Sequence, residues 1–329
     1  MKPTAILLLF LFTGLASQAQ EKEAEPPPGN ISVKIYSHFN YSLDGENATA
    51  FEVKRAYFGY KRSLDDHFWG EVKLDIGSVD DDSEYALIRR YTYFKNAYLG
   101  YKKGNVITWF GLMDMLQFKV QENFWGYRYL YRSYMDEYKF GSSADLGAGI
   151  QYSPSKIITT DLVISNGEGY KKLQLDKKYR VGAGITLHPL PDLTIRGYYT
   201  VHTSVTTQMS FAGFVGYRFD RWRVGGEYIL QKNHKFIEAH DRNGYSLYST
   251  FIFSDKWELF ARYDQLHSNI LPPEDLPWNL DKDGSAVIAG VQFTPIRYVH
   301  MALNFQDWID YAADGSSEPY IFLNLEVVF

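Results

Sequence analysis

From Ile31 to the end of the chain, apolar and polar residues alternate in segments of about ten residues, which is the pattern of transmembrane β-strands. The segment 67–77 shows it most clearly, because its charges all fall on one face. One face carries Glu71, Lys73 and Asp75, and the other carries Val72, Leu74 and Ile76. An arginine turned toward lipid near the membrane midplane costs roughly 2 to 4 kcal/mol, so this alternation admits one register only.

Short turns and longer polar stretches alternate between these segments. The turns are predicted near Leu64–Asp66, Lys103–Asn105, Ser153–Ser155, Pro189–Asp192, Asp220–Arg221, Ser254–Asp255 and Thr294–Pro295. The longer connections are predicted near Leu43–Thr49, Ser78–Arg90, Leu112–Ser142, Asn166–Lys178, Thr203–Thr207, Lys232–Asn243, Asn269–Asp283 and Ile309–Glu318. Turns on one membrane side and loops on the other predict an all-β, antiparallel transmembrane barrel of about sixteen strands, wide enough for a water-filled lumen.

The start of the chain has the features of a secretory signal. Lys2 precedes an apolar run from Ala5 to Phe12, and Ser17-Gln18-Ala19 offers the small residues that a signal peptidase recognises. We therefore predict a signal peptide at 1–19 that is cleaved near Ala19, a proline-containing periplasmic arm at 20–30, and the barrel at 31–329.

Composition narrows the class further. The chain has no cysteine, which excludes disulfides and a lipid-modified cysteine, and its mean hydropathy of -0.31 does not suit a helical membrane protein. Aromatic residues make up 17% of the chain, enough for the two aromatic girdles of a barrel in the outer membrane. The net charge of -5 gives no basic surface for nucleic acid, so we expect none as a partner.

The alternation also assigns the charged residues that face the lumen. Bases and acids are interleaved there, which favours a general diffusion pore over a selective row of bases. The predicted lumen lining comprises Lys34, Arg55, Lys61, Glu71, Lys73, Asp75, Arg180, Arg196, Arg218, Arg223, Glu227 and Arg262.

The longest connection, Leu112–Ser142, carries Lys119, Arg128 and Arg132 among many aromatic residues. We predict that it folds into the lumen as a constriction and that these three bases contact anions, with Arg128 and Arg132 brought to one side by a helical turn. The alternative is an aromatic lid on the extracellular side. Glycines at 147, 149, 182 and 184 fall on the lumen face and would make room for the loop, or else would serve bends of the barrel.

A family resemblance follows from this central stretch. Phe118-Lys119, the run from Arg128 to Ser133, and the run from Ala144 to Gly147 resemble the phosphate-selective porin O and P family. The resemblance implies a sixteen-stranded, usually trimeric porin with a basic inner path for anions such as phosphate.

The C-terminal segment 320–329 alternates like the closing strand of an outer-membrane barrel and ends on Phe329. We predict Phe329 to be the signal that the barrel-assembly machinery recognises. The expected partners are then outer-membrane lipid, that machinery, small hydrophilic solutes or anions, and two further copies in a homotrimer.

Two other classes of function remain as alternatives. An outer-membrane hydrolase would need a nucleophile and a base close together. The candidate pairs are His202 near Ser204 and His267 near Ser268. Adjacent residues on a strand point to opposite faces, so His267 and Ser268 cannot pair directly. A secreted all-β sugar-binding protein would use exposed aromatic residues. We expect no catalytic residues, no cofactor and no metal site, since the acidic clusters Asp80–Asp82 with Glu84 and Asp281 with Asp283 lack the spacing of a calcium loop.

Overall fold

The computed structural model describes residues 29–45, 49–77, 91–172, 174, 177–312 and 317–329. The predicted signal peptide at 1–19, residues 20–28 of the predicted arm and the acidic cluster Asp80–Asp82 with Glu84 lie outside them. The strands are β1 (Asn30–Ser42), β2 (Ala50–Ser63), β3 (Phe68–Gly77), β4 (Tyr91–Lys103), β5 (Val106–Asp114), β6 (Ala144–Tyr152), β7 (Ile158–Ser165), β8 (Arg180–Leu190), β9 (Leu193–Thr203), β10 (Thr207–Phe219), β11 (Trp222–Lys232), β12 (Arg242–Ser254), β13 (Trp257–Ser268), β14 (Gly284–Ile296), β15 (Val299–Asp310) and β16 (Tyr320–Val328).

Helical structure in the described residues is short. The helices α1 (Leu116–Trp125) and α2 (Tyr134–Glu137) lie between β5 and β6, and single 3-10 turns occur at His234–Phe236 and Leu280–Lys282. Over the described ranges, none of these helices has the length and apolar character needed to cross a membrane.

The sheet closes on itself. Every strand pairs antiparallel with its neighbours in sequence, and β1 pairs with β16. The closure extends to the last residue, where the backbone of Phe329 exchanges two hydrogen bonds with that of Val33. Closure leaves no unpaired edge, which a sheet surrounded by lipid requires. The predicted antiparallel barrel of about sixteen strands is confirmed.

The connections alternate between the two ends of the barrel, and six of the seven predicted turns lie where they were expected. The seventh turn, predicted near Thr294-Pro295, lies two to three residues later at Arg297-Tyr298, because β14 continues to Ile296. Pro295 has no N–H for the ladder, and it falls where the register between β14 and β15 shifts.

Side chains alternate between an apolar outer face and a mostly polar inner face. Outward residues such as Phe110 and Leu323 are 74% and 44% exposed, whereas inward residues such as Arg196 and Asn324 are 3% and 2% exposed. The outer surface is therefore of a kind that lipid can cover.

Two of the register shifts in the sheet lie in mid-strand and interrupt this alternation. The register of β1 with β2 shifts opposite Lys54, and that of β3 with β4 shifts opposite Lys95. An extra residue in one strand changes which face the following side chains occupy. Lys54 and Lys95 both turn inward as a result, next to Arg55 and Asn96, which also face inward.

Candidate functional site

The connection between β5 and β6, residues 115–143, is called here the long loop. Three of its five tyrosine hydroxyls donate to groups of β13 and β14 as follows: Tyr127 to Glu258 at 2.5 Å, Tyr129 to Gln292 at 2.8 Å, and Tyr134 to the carbonyl of Gln265 at 2.6 Å. The side chains of Phe124 and Trp125 are buried against Phe214 and Tyr248. The long loop thus packs on inward-facing wall residues.

Five inward arginines of β8 to β13 donate to backbone carbonyls of the long loop. The pairs are Arg180 to Phe140 (3.2 Å), Arg196 to Leu116 (3.2 Å), Arg223 to Trp125 (3.3 Å), Arg242 to Lys139 (2.7 Å) and Arg262 to Arg132 (2.7 Å). Carbonyls outside regular structure need such donors when they are buried. The inner wall formed by β8 to β13 therefore supports the long loop.

Two of these arginines are also held by bidentate ion pairs on the wall. Arg196 binds Asp161 at 2.7 and 3.0 Å, and Arg262 binds Asp264 at 2.8 and 2.6 Å. All four side chains are buried, so each charge depends on its partner and on the loop carbonyls for the hydrogen bonds that water would otherwise provide.

This packing places part of the predicted lumen lining beneath the long loop. Arg196, Glu227 and Arg262 point inward, and the long loop covers them, so that they are nearly inaccessible. Arg223 is partly covered by Trp125 and Gly126, and Arg218 lies exposed at the turn end of β10, stacked on Phe124. The alternation predicted which way these side chains point, but not what covers them.

Two adjoining cavities lie in the interior: the inner one is bounded by β1 to β5 and the long loop, and the outer one is bounded by the long loop, the longer connections and strands from β1 round to β15. The outer cavity, of about 1110 Å³, opens among the longer connections, and the inner cavity, of about 190 Å³, lies toward the short turns. Both are lined by Tyr36, Tyr57, Arg128 and Ser143, which mark the place where the cavities meet.

Arg128 is held at this junction by two carboxylates of the long loop. Its Nη1 lies 2.5 Å from Glu122, which lines the inner cavity, and 2.6 Å from Asp136, which lines the outer cavity. Its Nη2 lies 3.3 Å from the hydroxyl of Tyr57 on β2. After α1 ends at Trp125 and Gly126 takes the left-handed region at φ 80°, a single turn passes through Arg128, where the N–H groups of Leu130 and Tyr131 donate to the carbonyl of Tyr127 at 3.0 and 3.1 Å; Arg128 and Arg132 both line the outer cavity.

The other predicted loop bases also have acidic partners. Lys119 lies 2.9 Å from Asp114 and 3.5 Å from Glu122, while Arg132 is half-exposed and 3.8 Å from Glu137. Burial acts to lower the pKa of Lys119, but Asp114 and Glu122 outweigh it, and the pKa is raised overall. Lys119 is therefore positively charged at neutral pH.

The predicted lining residues of β1 to β3 lie at or near the open interior. Lys34 and Lys73 line the inner cavity and Arg55 lines the outer one. Glu71 pairs with Lys73 at 3.0 Å, Asp75 pairs with Arg55 at 3.3 Å, and Lys61 stacks on Trp69 nearer the turn end.

Lys54 and Lys95 are lining residues that the alternation missed. Lys54 Nζ donates to the carbonyl of Leu130 at 3.4 Å, and Lys95 Nζ donates to Ser143 at 2.5 Å while lying over the ring of Tyr170. Within the described ranges, no carboxylate lies within ion-pair distance of either lysine. The sequence signal was two consecutive polar residues, Lys54-Arg55 and Lys95-Asn96, in the middle of a strand.

The cavity linings are basic although the chain is acidic overall. The outer cavity has eleven lysines and arginines against five acids, and the inner cavity has five against two. The excess of acids behind the chain's net charge of -5 therefore lies outside the two linings, and the excess of bases within them favours a positive potential there.

The glycines that make room for the long loop are not the predicted ones. A side chain at Gly182 or Gly184 would meet the wall residues Tyr198 and Arg196, and one at Gly149 would meet Met113 of β5. By contrast, a Cβ at Gly216 would lie 2.6 Å from the ring of Phe124 in the long loop. Gly216 is thus a site where the wall accommodates the loop.

We expect Gly216→Leu to lower the unfolding temperature of the detergent-solubilised protein, because overpacking costs about 1 to 3 kcal/mol. The loss of the fast-migrating form on gels, followed against temperature, measures this. Gly213→Leu is the matched control, since Gly213 on the same strand has open space around it. An equal decrease for both variants would contradict the packing of Phe124 on Gly216.

The described residues hold no group of three or more His, Cys, Asp or Glu arranged for a metal ion. Asp283, in the second predicted acidic cluster, accepts from the backbone and hydroxyl of Ser268 at 2.8 and 2.6 Å. His267 stacks on Tyr311, so it does not pair with Ser268 as a base would with a nucleophile.

No protein-family model and no curated protein matches the chain. Several solved structures are similar to the chain in fold. OmpF of Salmonella typhi in complex with daunomycin superposes with a TM-score of 0.70 at 11% identity, over 92% of this chain and 97% of that one. The outer-membrane channel DcaP of Acinetobacter baumannii gives 0.66 at 12% identity, over 92% and 97%. The trimer form of OmpT, an outer-membrane protein of Vibrio cholerae, gives 0.61 at 12% identity, over 92% and 100%. The chain shares the barrel fold of these proteins.

Proposed function

We propose that the protein is an outer-membrane porin, a water-filled channel for the passive diffusion of small hydrophilic solutes, with a preference for anions. The observation that carries this proposal is the pair of adjoining cavities whose linings are both basic. An ion passing from the loop end to the turn end would move from the outer cavity past Arg128 into the inner one.

The anion preference is assigned chiefly to the wall lysines. The loop bases Lys119 and Arg128 form ion pairs with carboxylates, whereas Lys54 and Lys95 have no carboxylate within ion-pair distance, as far as the described residues extend. Ammonium groups that lack a direct ion pair in a narrow path attract anions and repel cations. This is consistent with the resemblance to phosphate-selective porins, and phosphate stays a candidate solute within the anion class.

The remaining expectations belong to the same proposal. The outer membrane would be the location, export would use the predicted signal peptide, and Phe329 would be the residue recognised by the barrel-assembly machinery. A homotrimer is proposed by analogy with the trimer form of OmpT from Vibrio cholerae. A hydrolase or a secreted sugar-binding protein has no comparable support in the geometry.

The test is planar-bilayer recording under a potassium chloride gradient. We expect discrete conductance steps and a reversal potential on the anion-selective side. The double variant Lys54→Gln with Lys95→Gln should lower the chloride-to-potassium permeability ratio several-fold, because it removes from the path two positive charges that have no direct ion pair.

The control is Lys102→Gln with Lys103→Gln, two exposed lysines at the turn between β4 and β5. They lie outside both cavities, and screening limits their influence to about 8 Å at physiological salt. A parent protein without conductance, or one that prefers cations, would refute the proposed function. Equal effects of the two double variants would refute the role of Lys54 and Lys95.

A further inference from the structure

The outer cavity has a feature that a path for simple ions does not require, namely an aromatic surface. Tyr131 and Tyr138 of the long loop and Trp308 of β15 all line it. The rings of Tyr138 and Trp308 are 5.7 Å apart and inclined by 36°, and all three side chains are partly exposed. These three residues are called here the aromatic platform.

The platform is held from behind by the buried pair of Arg262 and Asp264. The hydroxyl of Tyr138 donates to Asp264 at 3.1 Å, and the guanidinium of Arg262 lies 5.1 Å from the ring of Tyr131. Arg262 also donates to the backbone of Arg132, which fixes the segment between the two tyrosines. The exposed faces of the rings are therefore set in position before any ligand arrives, which lowers the entropy cost of binding.

Bases and neutral polar groups complete the lining of the same cavity. Lys54 and Arg55 come from β2, Lys171 lies 5.8 Å from the ring of Tyr170, and Gln208 and Asn279 add amide groups. A binding site for a small organic molecule typically combines fixed aromatic surface with a few polar groups that set orientation. Inorganic anions would use the bases but would leave the rings unused.

We propose that the outer cavity binds acidic oligosaccharides, meaning short sugar chains that carry carboxylates. This inference rests on the proposed function, since it names the solute class of the same channel. The apolar faces of sugar rings would pack on Tyr138 and Trp308, the hydroxyls would bond to the amide groups, and the carboxylates would meet the lysines and arginines. A cavity of about 1110 Å³ has room for more than one sugar ring.

The experiment measures the block of chloride current through the reconstituted full-length barrel by three probes. These are trigalacturonate, maltotriose as the neutral trisaccharide, and inorganic phosphate. Trigalacturonate should reach half-block at a concentration at least about ten-fold below that of either other probe, because only it engages both rings and bases.

Variants separate the rings from the charges. Trp308→Ala should raise the half-blocking concentration of trigalacturonate roughly ten-fold and leave that of phosphate unchanged, and Trp308→Phe should restore most of the loss. Trp222→Ala is the matched control, because Trp222 is an exposed, outward-facing tryptophan beside a turn. Heat-dependent gel migration checks that each variant is folded.

The outcomes distinguish the two proposals. Absence of any conductance in the parent refutes the proposed function and this inference with it. A channel that conducts chloride but is blocked equally by trigalacturonate and maltotriose, or equally by trigalacturonate and phosphate, leaves the porin proposal in place and overturns the saccharide site. A Trp308→Ala variant that is indistinguishable from the parent overturns it as well.

Discussion

Replacing Arg128 with Gln should shift the channel strongly toward cations, by about ten-fold or more in the chloride-to-potassium permeability ratio. The change removes one positive charge at the junction of the two cavities and also leaves Glu122 and Asp136 without their shared partner. A ten-fold change corresponds to about 1.4 kcal/mol. A unit charge about 4 Å away contributes roughly 4 kcal/mol at an effective dielectric constant of 20, which is more energy than the expected change in permeability ratio requires.

The same variant should show a pH dependence that the parent lacks. Burial acts to raise the pKa of Asp136, but the charge of Arg128 outweighs it and holds the pKa below its usual value. Without Arg128 that pKa rises, so the new cation preference should be present at neutral pH and should decline as acidification protonates the carboxyl. Reversal potentials recorded at stepwise lower pH measure this.

Arg221→Gln is the matched control for Arg128→Gln. Arg221 is exposed at the turn between β10 and β11 and donates to the carbonyl of Phe253, away from both cavities. Selectivity should not change in this variant. If Arg128→Gln also leaves selectivity unchanged, the conducting path does not pass the junction lined by Tyr36, Tyr57 and Arg128.

Replacing Leu323 with Arg should abolish or strongly reduce the amount of folded protein in the membrane fraction. Leu323 faces outward in the middle of β16 and pairs with Phe39 and Leu303 on the neighbouring strands. A guanidinium in that position would face lipid, at a cost of roughly 2 to 4 kcal/mol. Gel migration of unheated and boiled samples, together with membrane fractionation, measures the loss.

The control substitution is Tyr320→Arg on the inner face of the same strand. Tyr320 is near Glu318 and Asp44, which would accept an arginine. The inward Asn324 is unsuitable as a control, because it is buried and accepts a hydrogen bond from Asn304 at 2.7 Å. If Leu323→Arg and Tyr320→Arg are tolerated equally, the outer face of the barrel does not contact lipid.

The sequence by itself was sufficient for the barrel. The inner and outer faces of each strand are set by local sequence, because adjacent side chains point to opposite sides and only apolar side chains can face lipid. Alternation in segments such as 67–77, and turns such as Asp220-Arg221, therefore predict strand number, closure and orientation without knowledge of any distant contact.

The arrangement of side chains in the interior was predictable only in part, because it depends on contacts between residues far apart in sequence. That Arg196 points inward follows from its strand, but its cover by Leu116 depends on a loop 80 residues away. The inward turn of Lys54 and Lys95 depends on bulges, and a bulge is a property of two paired strands rather than of one.

The basic path is the clearest case of a property that tertiary structure alone decided. In sequence, the bases and acids of the inner face are interleaved. In the fold, the long loop buries ion pairs such as Arg196–Asp161 and Arg262–Asp264, and the linings that stay open carry more bases than acids, among them Lys54 and Lys95, which have no carboxylate within ion-pair distance in the described ranges. Which charges stay open depends on where the long loop packs, and that packing depends on contacts between residues far apart in the sequence, which no local pattern predicts.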